Sequence, residues 1–205
     1  LVRARKTGVT MATGKYIGYV DGDDWIDCDM YEKLYHNLIE SDADLVAAGR
    51  IEEHSNQSLR CENIAESRIY ADESLVELYS QMIFSGEFFS FGLYPTVWDK
   101  LFKSELLKRN QLQVPDMIVI GEDVACVYPC MLEAKRVSVL SDCFYHYRQH
   151  EGSMLRRKDT EYSIRVVCLY QYLWKRCKET DYWDILRPQI DLYLADLVVS
   201  GAKVM

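Results

Sequence analysis

Three acidic residues follow a short apolar stretch near the start of the sequence, and their spacing suits the binding of a cation. Asp21 and Asp23 come directly after Tyr16–Val20, a β-branched and aromatic run that predicts a buried strand. At a strand end, side chains two residues apart point to the same side, so a turn can bring both carboxylates towards one ion. The loop therefore predicts a site for Mn²⁺ or Mg²⁺, which are hard cations that prefer oxygen ligands.

Two other interpretations fit part of this loop. Asp and Gly are common in solvated turns that bind nothing. An EF-hand is the second alternative, because Asp21, Asp23 and Glu32 fall at its first, third and twelfth positions. Trp25 then replaces the fifth ligand, and Ile26 stands where the sharp turn needs glycine. A strand also precedes the loop where an EF-hand has a helix, so the sequence argues against this type of calcium site.

A second acidic pair, Glu122 and Asp123, opens a predicted helix much further along the chain. Acidic side chains in a first helical turn stabilise the helix macrodipole and need no catalytic explanation. A positioned aspartate can also act as a general base towards a hydroxyl group. The residues by themselves leave both interpretations open.

Arg148, His150 and Ser153 lie at or just after the end of another predicted strand. A loop there could bring a cation and hydrogen-bond donors to a diphosphate. The alternative is an ordinary exposed arginine on a solvated loop. Trp98, Tyr145 and Tyr147 are aromatic, and we expect them to serve in core and cross-strand packing rather than as sugar-stacking surfaces.

The composition limits the classes of partner and compartment. The formal net charge of -8 disfavours nucleic acid, which needs clustered Lys and Arg side chains. Seven cysteines, an odd number without a Cys-x-x-Cys pair, indicate reduced thiols in the cytoplasm. We find no apolar run long enough to cross a bilayer, and we expect a soluble chain that works in the cytoplasm or at the inner face of the membrane.

The periodicity of apolar residues predicts an α/β protein. Beyond the first strand, further strands are predicted over Asp44–Gly49, Val137–Leu140 and Phe144–Arg148, with loop and strand over Gln111–Ile120. Helical spacing follows Asp29, where Glu32 completes a pattern typical of a capping box. Further helical spacing covers Asp72–Phe84, Val97–Leu107, Asp123–Ala134, Glu161–Lys178 and Trp183–Val204.

These motifs together resemble the family 2 glycosyltransferases of the GT-A fold. The resemblance rests on Ala4–Gly8, Ala12–Ile17 and Val20–Ile26, and then, in the same order as in the family, on Trp98–Phe102, Gly121–Asp123 and Tyr145–Arg148 with Gly152 and Ser153. It covers most of Val2–Ser153. Lys6 departs from the pattern, since the family usually has Asn after the Arg.

The resemblance implies a role for each matching residue. Asp21 would lie near the ribose of the donor, and Asp23 would bind the metal on its diphosphate. Asp123 would be the catalytic base, and Glu122 beside it would either orient the acceptor or cap the helix. Arg148 and Ser153 would contact the donor, which by analogy is a UDP-sugar. The implied reaction transfers a sugar from a nucleoside-diphosphate sugar to a hydroxyl of a saccharide or lipid-linked acceptor, with inversion, in cell-surface polysaccharide synthesis.

The family begins with strands that recognise the nucleotide base, and no such strands precede the acidic loop in this sequence. We therefore expect a partial, N-terminally truncated GT-A domain with a mixed sheet flanked by helices over residues 1–155, and a C-terminal helical extension over 156–205. The alternative to an enzyme is a catalytically inactive fragment or interaction module, in which an exposed sheet edge pairs with a partner or with a second copy. Another metal-dependent phosphotransfer enzyme is a third option.

Overall fold

A computed structural model describes residues 1–87, 89–149 and 160–201 of the chain. Its α-helices in these ranges are α1 Val2–Met11, α2 Met30–Ser41, α3 Leu75–Tyr79, α4 Ser104–Gln113, α5 Glu122–Glu133, α6 Tyr162–Lys178 and α7 Trp183–Gly201. The strands are β1 Tyr16–Ile17, β2 Trp25–Ile26, β3 Leu45–Glu53, β4 Ser58–Cys61, β5 Ile69–Ala71, β6 Lys100–Lys103 and β7 Arg136–Arg148. A 3-10 turn, Asp72–Ser74, precedes α3.

The strands form one mixed sheet in the order β1-β6-β3-β7-β2. Strand β4 extends it beside β3, and β5 pairs with the start of β7. The central pair β3 and β7 is parallel, and the other pairs are antiparallel. The sequence-based prediction of an α/β fold with a mixed sheet flanked by helices is therefore confirmed.

Helix α2 covers the centre of this sheet. Its residues Met30, Leu34 and Leu38 are fully buried, as their spacing of four along one helical face predicts. The helix packs against β3, β6 and β7. The predicted capping box does not form, because Asp29 makes no side-chain cap and instead pairs with Lys33 Nζ at 2.8 Å.

Three predicted elements differ from the structure. The helix predicted over Val97–Leu107 is wrong, because Lys100–Lys103 form β6 between β1 and β3, and α4 starts only at Ser104. Tertiary pairing here overrides local periodicity. The helix predicted over Asp72–Phe84 is limited to α3 and the preceding 3-10 turn. No strand lies within residues 111–120, where α4 ends and a turn leads to α5.

Strand β7 is one continuous element where two short strands were predicted. The register against β3 changes between the pairs Ala47–Val139 and Arg50–Tyr145, so β7 carries extra residues at this point. The gap between the two predicted strands falls at this irregularity, which is a β-bulge. The same strand therefore pairs with β5 at its start and carries Tyr145 and Arg148 at its end.

The helices form a connected layer beside the sheet. Helix α4 contacts β1 and β6, and both α1 and α5 pack on α4. Helix α6 packs on α5 and pairs with α7. The predicted boundary between a glycosyltransferase domain and a helical extension falls at 155/156, outside the described residues, and stays a prediction. Among the helices of the described ranges, none is long and apolar enough to cross a membrane.

A fully buried ion pair fixes the start of β6. Lys100 Nζ lies 2.6 Å from Asp99 Oδ1, and both side chains are 0% exposed. Lys100 also donates to the carbonyl oxygens of Tyr94 at 2.7 Å and Thr96 at 2.8 Å. The ammonium group therefore ties the loop before β6 to the sheet, and its hydrogen bonds compensate for the loss of hydration.

We predict that Lys100→Met destabilises the protein by about 3–5 kcal/mol, because it leaves the Asp99 carboxylate buried without its partner. Lys103→Met is the matched control in the same strand, since Lys103 pairs with Asp44 at 2.9 Å with 36% of its side chain exposed. An exposed pair of this kind contributes about 0–1 kcal/mol. Chemical denaturation measures both variants, and equal losses would contradict the prediction.

Candidate active site

The acidic loop between β1 and β2 is held by a tyrosine from β7. The backbone N–H of Asp21 donates to the Tyr145 hydroxyl at 3.0 Å, and that hydroxyl donates to Asp24 Oδ2 at 2.9 Å. The backbone N–H of Arg148 donates to Asp24 Oδ1 at 2.9 Å. Asp24, which the sequence left without a role, therefore fixes the loop on β7.

Asp23 is exposed, whereas Asp21 and Asp24 are partly buried. Burial raises the pKa of Asp21, the Arg5 charge opposes this shift, and the neighbouring carboxylates add to it. The EF-hand interpretation is wrong, because Trp25 and Ile26 form β2 within what would be the calcium loop.

The donor set of this loop suits a metal bound together with a nucleotide. Among the residues that the structure describes, no three or more His, Cys, Asp or Glu side chains are grouped to hold a metal ion by themselves. Mg²⁺ at phosphate sites uses only one or two protein carboxylates, with phosphate oxygens and water as its other ligands. Asp23, with Asp21 beside it, offers this number of carboxylates.

Glu122 and Asp123 occupy the first turn of α5, as predicted, and Arg5 of α1 contacts both. Arg5 Nη1 makes an ion pair and hydrogen bond with Asp123 Oδ1 and lies 3.9 Å from Glu122 Oε1. The Arg5 side chain is only 6% exposed, and its guanidinium lies 5.6 Å from the centre of the Tyr19 ring. Arg5 belongs to the stretch Ala4–Gly8 that carries the family resemblance, but no role for it was predicted.

Arg5 also connects the acidic pair with the acidic loop. Its pKa is raised because the charges of Asp123, Glu122 and Asp21 outweigh the opposing effect of burial. On the other side of α1, Arg3 and Lys6 pair with Asp116 at 2.9 and 2.8 Å. These contacts hold α1 against the loop that leads into α5.

Arg148 lies beside the acidic loop. Its guanidinium carbon is 5.3 Å from the centre of the Trp25 ring, and Trp25 stacks on His146 at 5.0 Å. His146 in turn bridges Asp27 at 3.1 Å and Glu53 at 2.7 Å. The structure thus brings Arg148 to the loop that contains Asp21 and Asp23. His150 and Ser153 lie outside the described residues.

The aromatic residues Trp98, Tyr145 and Tyr147 pack against one another, as predicted. Trp98 is 4% exposed and stacks on Tyr145 with 4.1 Å between ring centres and on Tyr147 with 5.6 Å. This stack supports the tyrosine that holds the acidic loop. Tyr145 was predicted to pack, but its hydroxyl contacts could not be read from the sequence, because they depend on the register of β2 against β7.

Comparisons with known proteins find glycosyltransferases among the relatives of this chain. The model of the family described as glycosyl transferase family 2 matches residues 1–95. The glycosyltransferase EpsJ of Bacillus subtilis (strain 168) is 28% identical over 212 residues, which cover 98% of this chain and 60% of EpsJ. Glycosyltransferase GlyA of Streptococcus pneumoniae serotype 4 is 29% identical over 157 residues, covering 76% of this chain and 22% of GlyA.

A solved structure shows the same fold. The crystal structure of Staphylococcus aureus TarS residues 1–349 in complex with UDP-GlcNAc matches with a TM-score of 0.69 and 18% identity, over 93% of this chain and 52% of that chain. The fold is that of a GT-A glycosyltransferase. Over residues 1–95 the chain is similar to glycosyltransferase family 2. It spans 60% of the length of EpsJ and 22% of that of GlyA.

We predict that Glu122 makes stability depend on pH. Burial, and then the Asp123 charge, raise the pKa of Glu122 from 4.5 to about 7. Between these values the folded protein holds a proton that the unfolded chain has lost, so the free energy of unfolding falls as pH rises from about 4.5 to about 7. At 1.36 kcal/mol per pKa unit, Glu122→Gln should gain up to about 3 kcal/mol relative to wild type across this range. Urea unfolding between pH 4.5 and 8 measures the difference, and parallel pH profiles would contradict it.

Proposed function

We propose that this chain forms the metal-binding and acceptor-side part of an enzyme that transfers a sugar from a nucleoside-diphosphate sugar to a hydroxyl group, with inversion at the sugar carbon. Asp21 and Asp23 contact the donor and its metal, Arg148 contacts the diphosphate, Asp123 is the catalytic base, and Glu122 orients the acceptor. Ser153 is a further proposed donor contact, on the resemblance alone.

One observation carries this proposal. The acidic loop and the acidic pair are far apart in sequence, and both lie within the field of the same buried guanidinium, that of Arg5. An enzyme of this type needs carboxylates at both ends of the reacting bond, one set for the leaving diphosphate and one for the attacking hydroxyl. Asp123 pairs with this cation and Asp21 lies within its field, and Asp23 follows Asp21 by two residues in the same loop, which supports a single reaction centre.

The proposed chemistry assigns one step to each acidic group. Asp123 accepts the proton of the acceptor hydroxyl as its oxygen attacks the sugar carbon, and the bond from that carbon to the diphosphate oxygen breaks. A bound Mn²⁺ or Mg²⁺ would stabilise the negative charge on the departing nucleoside diphosphate. Arg5 orients the Asp123 carboxylate, and Tyr145 holds the loop that presents Asp23. The guanidinium of Arg148 can pair with phosphate oxygens in a bidentate way.

A UDP-sugar is the proposed donor. TarS, which shares the fold, was solved with UDP-GlcNAc and with UDP, and it is named as a poly(ribitol-phosphate) beta-N-acetylglucosaminyltransferase. The acceptor class that we propose is a saccharide or lipid-linked precursor of a cell-surface polysaccharide. Pocket shape decides the particular sugar, because fold alone does not determine substrate.

We predict that UDP binds in a metal-dependent manner through Asp23. Calorimetric titration of the protein with UDP should show binding in the presence of Mn²⁺ that is at least tenfold weaker without it. Asp23→Asn should abolish this dependence, because an amide is a poorer ligand for a hard cation than a carboxylate. Asp142→Asn, at an exposed position in β7, is the matched control. Equal UDP affinity with and without Mn²⁺ would contradict the metal assignment.

We predict that Asp123→Asn lowers the rate of sugar transfer by at least a factor of about 100, because general-base catalysis contributes 10²–10⁴-fold. Transfer from radiolabelled UDP-glucose, UDP-galactose and UDP-GlcNAc to octyl glycosides and to poly(ribitol phosphate) measures the rate. Binding of UDP with Mn²⁺ should change less than about threefold, since the base contacts the acceptor. Asp142→Asn, an exposed change in β7, is again the control, and normal turnover in Asp123→Asn would contradict the base assignment.

The second candidate is an interaction module without activity. Strand β1 lies at one end of the sheet order, and Val20 and Tyr35 beside it are 48% and 45% exposed. Such an edge can pair with a strand of a partner or of a second copy. Failure to bind UDP or to transfer sugar, together with a concentration-dependent oligomer in sedimentation, would favour this module over the enzyme.

A further inference from the structure

Helix α7 carries two buried polar side chains that hold the loop after α3. Gln189, which is 5% exposed, accepts the backbone N–H groups of Ile83 at 3.1 Å and Phe84 at 3.2 Å, and donates to the Tyr79 carbonyl at 2.7 Å. Asp196, which is 3% exposed, accepts the backbone N–H of Phe89 at 2.9 Å. The loop is therefore fixed from the C-terminal helix at two places.

The backbone of Phe89 is held in an unfavourable conformation. Its φ is +51°, which lies in the left-handed region that residues with a Cβ rarely adopt. The hydrogen bond from the Phe89 backbone N–H to Asp196 helps to compensate for this conformation, and the ring packs edge-on against Tyr193. Phe89 is 41% exposed. The structure thus presents an aromatic face to solvent from a fixed backbone position.

Tyr193 connects this loop to the acidic pair. Its ring lies 6.5 Å from that of Phe89 and 5.7 Å from that of Phe91, both edge-on. Its hydroxyl would be 3.2 Å from a Cβ placed on Gly121, the residue before Glu122, where φ is +65°. Only glycine combines this backbone conformation with such close packing. One tyrosine ring therefore separates Phe89 from the start of α5.

We propose that Phe89 is an acceptor-binding residue whose ring stacks on a sugar of the acceptor, and that Asp196 and Tyr193 are positioning residues that fix this ring relative to Asp123. The inference rests on the proposed function. The chemistry favours a sugar, because the apolar face of a pyranose packs on an exposed aromatic ring while its hydroxyl groups stay solvated. The acceptor side is favoured because Tyr193 links Phe89 to Gly121, two residues before the proposed base, whereas β7 holds the donor loop.

The experiment compares acceptor and donor kinetics in Phe89→Ala, Phe89→Tyr, Asp196→Ala, Asp196→Asn and the exposed control Asp184→Asn. Radiolabelled UDP-sugars serve as donors and octyl glycosides as acceptors, and release of free sugar to water is measured separately. We expect Phe89→Ala and Asp196→Ala to raise the acceptor KM at least tenfold, with donor KM and hydrolysis within twofold of wild type. Phe89→Tyr, which keeps the ring, and Asp196→Asn, which keeps an acceptor oxygen, should restore the acceptor KM to within threefold.

The outcomes separate this inference from the proposed function. Absence of transfer by the unmodified protein would contradict the proposed function and the acceptor role with it. If the unmodified protein transfers sugar, but Phe89→Ala leaves the acceptor KM within twofold of wild type or raises the donor KM instead, the acceptor role of Phe89 is contradicted. The proposed function would then still stand. Phe89→Ala changes an exposed side chain, so it gives a result even where Asp196→Ala prevents folding.

Discussion

The compensation of negative charge by one buried arginine is the constraint on which this site depends. Carboxylates from two distant parts of the chain come close together in a partly buried environment, where like charges repel more strongly than in water. Arg5 pairs with Asp123, lies near Glu122 and opposes the rise in the pKa of Asp21. Without a cation at this position, the negative charges of these acidic groups would lie close together in the folded protein with no positive charge to compensate for them.

The position of Arg5 in turn explains why α1 is docked as it is. Val2, Arg5 and Val9 are the buried residues of α1, at spacings of three and four along one face. Arg3 and Lys6 attach the same helix to Asp116, close to the start of α5. This short helix is thus held by two buried valines and by ionic contacts, of which the buried one places its arginine at the site.

Sequence reasoning found the parts of the site whose signals are local. The acidic loop, the acidic pair at a helix start and the two C-terminal helices follow from residue types and short spacings, and the order of the motifs carries the resemblance to family 2 glycosyltransferases. Helix α1 was missed because its periodicity appears only when Arg5 is counted as a buried residue. Strand β6 was predicted to be helical because a lysine at position 100 does not suggest a buried strand. Lys100 is buried only because the fold pairs it with Asp99. The hydroxyl contacts of Tyr145 depend on strand register, which no local pattern records.

The bulge in β7 makes the length of this strand as important as its composition. Successive side chains in a strand alternate between the two faces, and the register of β7 against β3 changes between Val139 and Tyr145. Loss of a single residue from this stretch would turn Tyr145 to the opposite face of the sheet. The acidic loop would then lose its contact with the Tyr145 hydroxyl, although no residue of the site had been substituted. The length of the hairpin turn at residues 54–57 does not determine which face of the sheet the side chains of the site occupy. In this fold, therefore, the tolerance for insertions and deletions differs between the irregular stretch of β7 and the turn after β3.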